Sequence, residues 1–316
     1  MEKDTGTNQS TSTSTNIDGR VLDGVEAVYM SVVSLLGFVG NILILTLILR
    51  NKTLRNSSNI LVANLSLVEL LVTCTEPFHV VAIAANGWPL PTAVCEVVAF
   101  LSITGIMCSI VNLTIIAVNR YVLVARSSDD YHRLFSDRNT GRVAGLTWVY
   151  TVSFVGVSQA AGMTTGFYEL PRKCIVLGNS STANVNFVKV WVGQIAVLSA
   201  LSAVFYAKTY LYVRRRRQEQ TCDVIIKRQR EREEKLTKTL FVIFVLFFLT
   251  WLLSTLIVGL HMVSSVSVPS EILRLGSMLY STNVVINPFL YGWKNQNLRS
   301  AARNMMRKNA VGSVDT

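Results

Sequence analysis

Hydrophobic residues fall in long blocks separated by short polar segments, and the length of the blocks decides what they are. A helix needs about 20 residues to cross a hydrocarbon core of roughly 30 Å. Seven blocks reach that scale. They are Ala27–Leu49, with no charged residue; Ile60–Ala85, with Glu69, Glu76 and His79; about Ala93–Ala125, uncharged between Val97 and Val118; Val143–Phe167; Val190–Val213, with Lys208; Thr239–Ser270, which holds a short turn; and Leu275–Trp293. Backbone groups in lipid must be paired within their own segment, so the blocks are helices. After the last block, Leu298, Ala302, Met305 and Met306 recur at helical spacing with Arg299, Arg303, Arg307 and Lys308 between them. That pattern predicts an amphipathic helix lying on the inner leaflet. The fold class is therefore an all-α membrane protein: an extracellular disordered tail (1–26), a seven-transmembrane helix bundle (27–293), a short amphipathic cytoplasmic helix (294–309) and a cytoplasmic tail (310–316).

Composition narrows the partners. The 316 residues carry a formal charge of +11, yet only 16% are charged and half are hydrophobic. A water-facing nucleic-acid binder of that charge needs far more Lys and Arg, and a disordered chain cannot be half apolar. Nucleic acid is excluded as a partner, and the apolar surface is assigned to membrane lipids. Five cysteines do not make a disulfide scaffold, and three histidines do not make a His-rich metal site. No cofactor and no metal is expected.

Counting Lys and Arg between the blocks orients the bundle. Segments 50–59, 126–142, 214–238 and 294–316 hold 22 of the 30, whereas residues 1–26 and the alternate connections hold four: Lys3, Arg20, Arg172 and Lys173. The basic side is cytoplasmic, which places the N-terminus of this multi-pass membrane protein outside. Asn8 and Asn179 head sequons on the outer side and are candidate glycosylation sites, used or silent. Cys95 and Cys174 are the two cysteines in oxidising space and are expected to pair.

Polar side chains inside hydrocarbon are costly, so each is a candidate functional group. Asn41, Glu69, Ser109, Asn283 and Asn287 share one mid-membrane level if spans one, two, three and seven adjoin. One carboxylate among neutral oxygens is either a small-cation or proton site, or a hydrogen-bonded network that fixes packing.

Five short motifs at matching depths resemble the motif set of the rhodopsin-like (class A) G-protein-coupled receptors. They are Gly40-Asn41 in span one, Asn119-Arg120-Tyr121 at the inner end of span three, Trp148 in span four, Trp251 in span six and Asn287-Pro288-Phe289-Leu290-Tyr291 in span seven. The resemblance covers roughly residues 25–308. Within the class, the Asn-Arg-Tyr variant and the segments 131–136 and 291–299 resemble the melatonin-receptor-related branch. It implies a receptor, not an enzyme, that passes an extracellular signal to a heterotrimeric G protein on the basic inner face. The rival is a seven-helix transporter or pump without signalling, which calls for internal repeats or a lysine in span seven, and the sequence has neither. His79, His132 and His261 are scattered and offer no catalytic constellation.

The resemblance also implies roles for single residues. Arg120 closes span three, where in the family it pairs with acids at rest and later faces the G protein. Glu233, eighteen residues before Trp251 and so five turns toward the cytoplasm, is either its partner from span six or one exposed charge in a charged run. Asn119 stands where most of the family has an acid, which implies raised basal activity. Tyr291 and either Tyr206 or Tyr210 swing toward Arg120, and Phe247 lies one turn below Trp251 as a packing switch or a plain core aromatic. Span six lacks the Cys and Pro that flank this tryptophan in the family. Glu69 replaces the aspartate of the family's sodium site, shifting the carboxylate by about 1.5 Å.

The ligand is left open. Ser102 stands where amine receptors need an acid, and span seven has no lysine for a retinal Schiff base. Where the melatonin set has two amides and a histidine, this chain has Ser158 with Gln159, Gly178 and Gln194. The predicted mouth comprises Ser102, Gln159, Arg172, Gln194, His261 and Tyr280, with Trp88. It suits a small extracellular ligand, either indole-like or a lipid acid drawn by Arg172 and Lys173. The alternative for those two cations is that they are solvated loop residues.

Overall fold

The computed structural model describes residues 8–169, 172–177, 181–218, 231, 238, 241–242, 244–246, 248–257, 268–294 and 296–312. Asn179, Glu233, Phe247 and His261 lie outside the described residues, as do the side chains of Asn8 and Tyr291. In chain order the elements are α1 (Asn8–Arg50), α2 (Ser57–Thr73), α3 (Glu76–Ala84), α4 (Thr92–Ala125), α5 (Ser128–Leu134) and α6 (Asp137–Ala160). A hairpin of β1 (Thr165–Tyr168) and β2 (Lys173–Val176) follows, then α7 (Thr182–Gln218), α8 (Phe244–Ile257), α9 (Ser270–Lys294) and α10 (Gln296–Gly312). Spans one to seven are α1, α2 with α3, α4, α6, α7, α8 and α9. Among the described residues five helical segments are long and apolar enough to cross a membrane, with Phe244–Ile257 a shorter apolar one.

Several boundaries differ from those drawn on hydropathy: α7 starts at Thr182 and not at Val190, α9 at Ser270 and not at Leu275, and α10 runs to Gly312, past the expected end at 309 and into the expected tail. Three others have a local cause. Helix α1 extends outward to Asn8, so residues 8–26 are helical rather than a disordered tail. Its outer turns carry Asp23 and Glu26, which pair with Arg274 of α9; a polar turn standing above the lipid does not register as a span. The second span divides at Cys74 and Thr75, because Pro77 at the start of α3 has no N–H to continue the ladder. The fourth span stops at Ala160 instead of Phe167. Gly162 holds φ +95°, open to glycine, and turns the chain into the hairpin. The inner ends are set by side-chain caps: Asn56, Ser127 and Ser136 each accept the backbone N–H three residues on.

The core is apolar and shared by several helices, with Ile44, Leu61, Leu65, Leu113, Ile116, Trp251 and Leu298 buried in one cluster. The outside is equally apolar. Leu35, Leu146, Val157 and Val197 are each more than 60% exposed, a distribution suited to lipid and not to water. Close approach depends on missing side chains: a Cβ at Gly40 would meet Pro288 of α9 at 2.8 Å, and one at Gly105 would meet Val72 of α2 at 2.5 Å. Leu298 and Ala301 bury one face of α10 against the bundle.

Candidate functional site

At the inner end, the residues of the Asn-Arg-Tyr motif diverge. Asn119 accepts a hydrogen bond from Ser58 Oγ of α2 at 2.9 Å and donates to the Tyr131 hydroxyl of α5 at 3.3 Å. It therefore ties α4 to the neighbouring span and to the cytoplasmic connection. Arg120 is 4% exposed, its Nε lacks a hydrogen-bond partner, and it makes no ion pair among the described residues. Tyr206 is buried, with its ring 5.4 Å from Phe244 and 5.9 Å from Phe241 of the sixth span, whereas Tyr210 is 49% exposed. That geometry favours Tyr206 over Tyr210 as the inward tyrosine of α7. Tyr121 packs beside Phe205 at 5.5 Å.

The mid-membrane polar residues are partly brought together. Ser109 Oγ and Asn287 Nδ2 both donate to Glu69 Oε1 at 3.0 Å, joining α4 and α9 to α2. Asn41 instead donates to the carbonyl of Val284 at 3.0 Å. Asn283 accepts from Thr250 Oγ1 of α8 at 2.7 Å. Of the five expected residues, three form a carboxylate-centred cluster and two are helix-to-helix braces. No group of three potential metal ligands exists among the described residues. A second network escaped the sequence reading. Trp148 Nε1 donates to Asn64 Oδ1 at 2.9 Å, Asn64 Nδ2 to Asn112 Oδ1 at 3.1 Å, and Asn112 Nδ2 to the Leu61 carbonyl at 3.0 Å.

Above this level Trp251 meets Trp191 of α7 edge to face at 5.6 Å, and neither indole N–H has a partner. Below the pair lies a small apolar cavity walled by Ile110, Ile195, Ser199, Ser202 and Phe248. Pro288 sits within α9 beside Gly40.

The predicted mouth divides into two. On the side of α6 and α7, Gln159 and Gln194 are half-buried, and Gln194 Oε1 has no partner. On the side of α3 and α9, Ser102 donates to Thr75 Oγ1 at 2.9 Å, and Tyr280 lies beneath the Lys173 ammonium, 4.2 Å from its ring centre. Both loop cations are paired. Arg172 is bound to Asp23 at 2.8 Å and donates to Asn86 Oδ1 at 2.9 Å. Lys173 is 5% exposed, donates to Ser281 Oγ at 3.0 Å and stands 3.7 Å from Glu76 Oε2. Burial pushes its pKa below the usual lysine value while Glu76 pulls it back up. An acidic ligand would have to compete with Asp23 and Glu76 for these charges.

The Cys95–Cys174 bond anchors β2 to the outer end of α4, and Cys174 pairs with Phe167 while Lys173 pairs with Tyr168 across the hairpin. Sequence reasoning did not single out Glu76, His79 or Ser281. The signal was present, since two ionisable residues three apart in an apolar block are functional candidates by default. Their partner lies 97 residues away in a loop, which no local pattern reveals.

Residues 40–291 match the family described as 7 transmembrane receptor (rhodopsin family). The chain is 28% identical over 285 residues to melatonin receptor type 1C of Xenopus laevis, covering 85% of this chain and 64% of that receptor, so it spans less than two thirds of that relative. It is 30% identical over 277 residues to melatonin receptor type 1A of Phodopus sungorus, covering 85% and 76%. In three dimensions it matches the crystal structure of squid rhodopsin with a TM-score of 0.81, over 91% of this chain and 86% of that one. At 15% identity that last likeness speaks for the fold.

Proposed function

The chain belongs to the rhodopsin family of seven-transmembrane receptors, in the branch related to the melatonin receptors, and we propose that it is a plasma-membrane receptor whose basic inner face promotes nucleotide exchange on a heterotrimeric G protein. Its N-terminus faces outward and a small extracellular molecule is its ligand. Arg120, Tyr121, Tyr206, Trp251, Asn287, Pro288 and Tyr291 act as the activation switch, with Asn41, Glu69, Ser109 and Asn283 as its polar core.

The observation that carries this reading is two separate sets of polar contacts between helices, one at mid-membrane and one at the inner end. Glu69 joins α2, α4 and α9 at mid-membrane, and Asn119 joins α4 to α2 and α5 at the inner end. Neutral hydrogen bonds between helices in a membrane are worth about 0.6 kcal/mol each on average, weak enough to be exchanged between two arrangements. Asn119 stands where most of the family has an acid, and it holds Ser58 and Tyr131, so Arg120 lacks that adjacent restraint, which favours basal signalling. Nothing in the comparisons supports the transporter alternative.

The test is ligand-free nucleotide exchange measured with a panel of G proteins. Wild type should show a basal rate that Arg120→Ala abolishes and that Asn119→Asp lowers. No exchange with any G protein, with or without candidate ligands, would overturn the reading; an unchanged rate in Asn119→Asp would remove the restraint argument. Melatonin is one ligand to screen, because it names the relatives, although Gln159 and Gln194 make a different amide pattern here.

A further inference from the structure

We infer that the cage between α3, α9 and β2 is an ammonium-binding site, and that the receptor fills it with its own Lys173, so that the outer hairpin acts as a tethered cationic ligand. This builds on the receptor reading. The cage has chemistry that suits an ammonium: a carboxylate, a hydroxyl oxygen and an aromatic face. Ser281 Oγ accepts from Nζ at 3.0 Å and passes its own hydrogen to Glu76 Oε2 at 2.8 Å. Glu76 Oε2 lies 3.7 Å from the ammonium and the Tyr280 ring centre 4.2 Å from it. Glu76 is fully buried, and a buried carboxylate without a cation is strongly disfavoured.

The cage also keeps polar atoms unpartnered. Among the described residues Glu76 Oε1 and both ring nitrogens of His79 are buried without a hydrogen-bond partner, although His79 Nδ1 stands 3.8 Å from Glu76 Oε2. Lysine reaches one hydroxyl at hydrogen-bond distance and leaves an acceptor over, as expected of a side chain tethered to a strand.

The hairpin is built to deliver this one side chain. The Cys95–Cys174 bond fixes the residue after Lys173. Arg172, the residue before it, holds φ +58°, a left-handed conformation uncommon outside glycine. Arg172 reaches Asp23 of α1 while its neighbour turns into the bundle. The cage shares α9 with the core contact, and α3 continues the span that α2 begins. Glu76 follows Glu69 by seven residues across the break at Cys74 and Thr75, and Asn287 follows Ser281 by six within α9, roughly 9 Å along that helix. Whatever occupies the cage thus sets the spacing of α3 and α9 above the Glu69–Asn287 hydrogen bond.

Chemical rescue tests this. Lys173→Ala removes the atoms of n-propylammonium, so the purified full chain in lipid nanodiscs is compared with and without n-propylammonium chloride, with sodium chloride and n-propanol as controls. Lys173→Ala should melt at a lower temperature and lose ligand-free nucleotide exchange by roughly fivefold or more, the lower end of coupling between two sites. Millimolar n-propylammonium should restore both, and should restore neither in Lys173→Ala/Glu76→Gln. Melting does not depend on signalling. Rescue of melting in a receptor that never drives exchange would therefore sink the receptor reading while keeping the ammonium site. If n-propanol rescues melting as well as n-propylammonium, the site is not an ammonium site. If melting is rescued while exchange is the same in all variants, Lys173 is a structural plug and not a ligand. Should Lys173→Ala not fold, Lys173→Met/Glu76→Gln strands no charge, and wild-type exchange in that variant would equally overturn the tethered-ligand role.

Discussion

The outer and inner halves of the bundle solve one problem with different chemistry. Outside, α1, α3, α9 and the hairpin are held by full charges: Arg172 and Arg274 on Asp23, Arg274 on Glu26, and Lys173 on Glu76. Further in, amides, hydroxyls and one indole connect α2, α4 and α6, and the Glu69 carboxylate is joined to two neutral donors. A buried ion pair is fixed because parting its members leaves a bare charge in a poor dielectric. A neutral hydrogen bond in the membrane is exchanged at little cost, since each partner finds another. The outer end is thus suited to define a pocket, and the inner end to change.

That contrast makes unequal predictions. Glu76→Ala strands the Lys173 ammonium and should cost about 3–5 kcal/mol of stability, read as the largest fall in melting temperature of the purified receptor. Asn64→Leu removes the acceptor of Trp148 and the donor to Asn112; two membrane hydrogen bonds should cost about 1 kcal/mol together, with a much smaller fall. Were Asn64→Leu to destabilise as much as Glu76→Ala, the division into a rigid outer and an exchangeable inner half would fail. Arg172→Ala tests the outer half against itself. Its pair with Asp23 is partly open to solvent, so the change should cost about 0.2–1 kcal/mol and fade at high salt. A larger loss would mean that the hairpin's attachment to α1 is as structural as the buried Lys173 pair.

The seven spans were legible because each is a run of apolar residues longer than the membrane is thick, a property of neighbouring positions. Their ends were less so. Pro77 divides the second span, and Gly162 with the following hairpin cuts the fourth short, while the charged outer turns of α1 and α9 extend past the lipid. Among the polar core residues, depth put five at one level, and the packing of α2, α4 and α9 selected Ser109 and Asn287 to meet Glu69. Asn41 and Asn283 share that depth but point elsewhere, because an amide in a helix takes whichever backbone carbonyl or hydroxyl lies within reach.

The sequence by itself determined the membrane, the helices and the basic face, because hydropathy and charge act position by position and need no partner. It also marked Arg120 and the proline of α9 through motifs that are local in the chain. Only the tertiary structure decided which charges are free. Lys173 looks like a loop cation until a strand of the hairpin, held by Cys95, places it between Glu76, Ser281 and Tyr280. Those partners lie in two segments far apart in the chain, and an electrostatic pair depends on distance and dielectric, neither of which is written in the order of the residues.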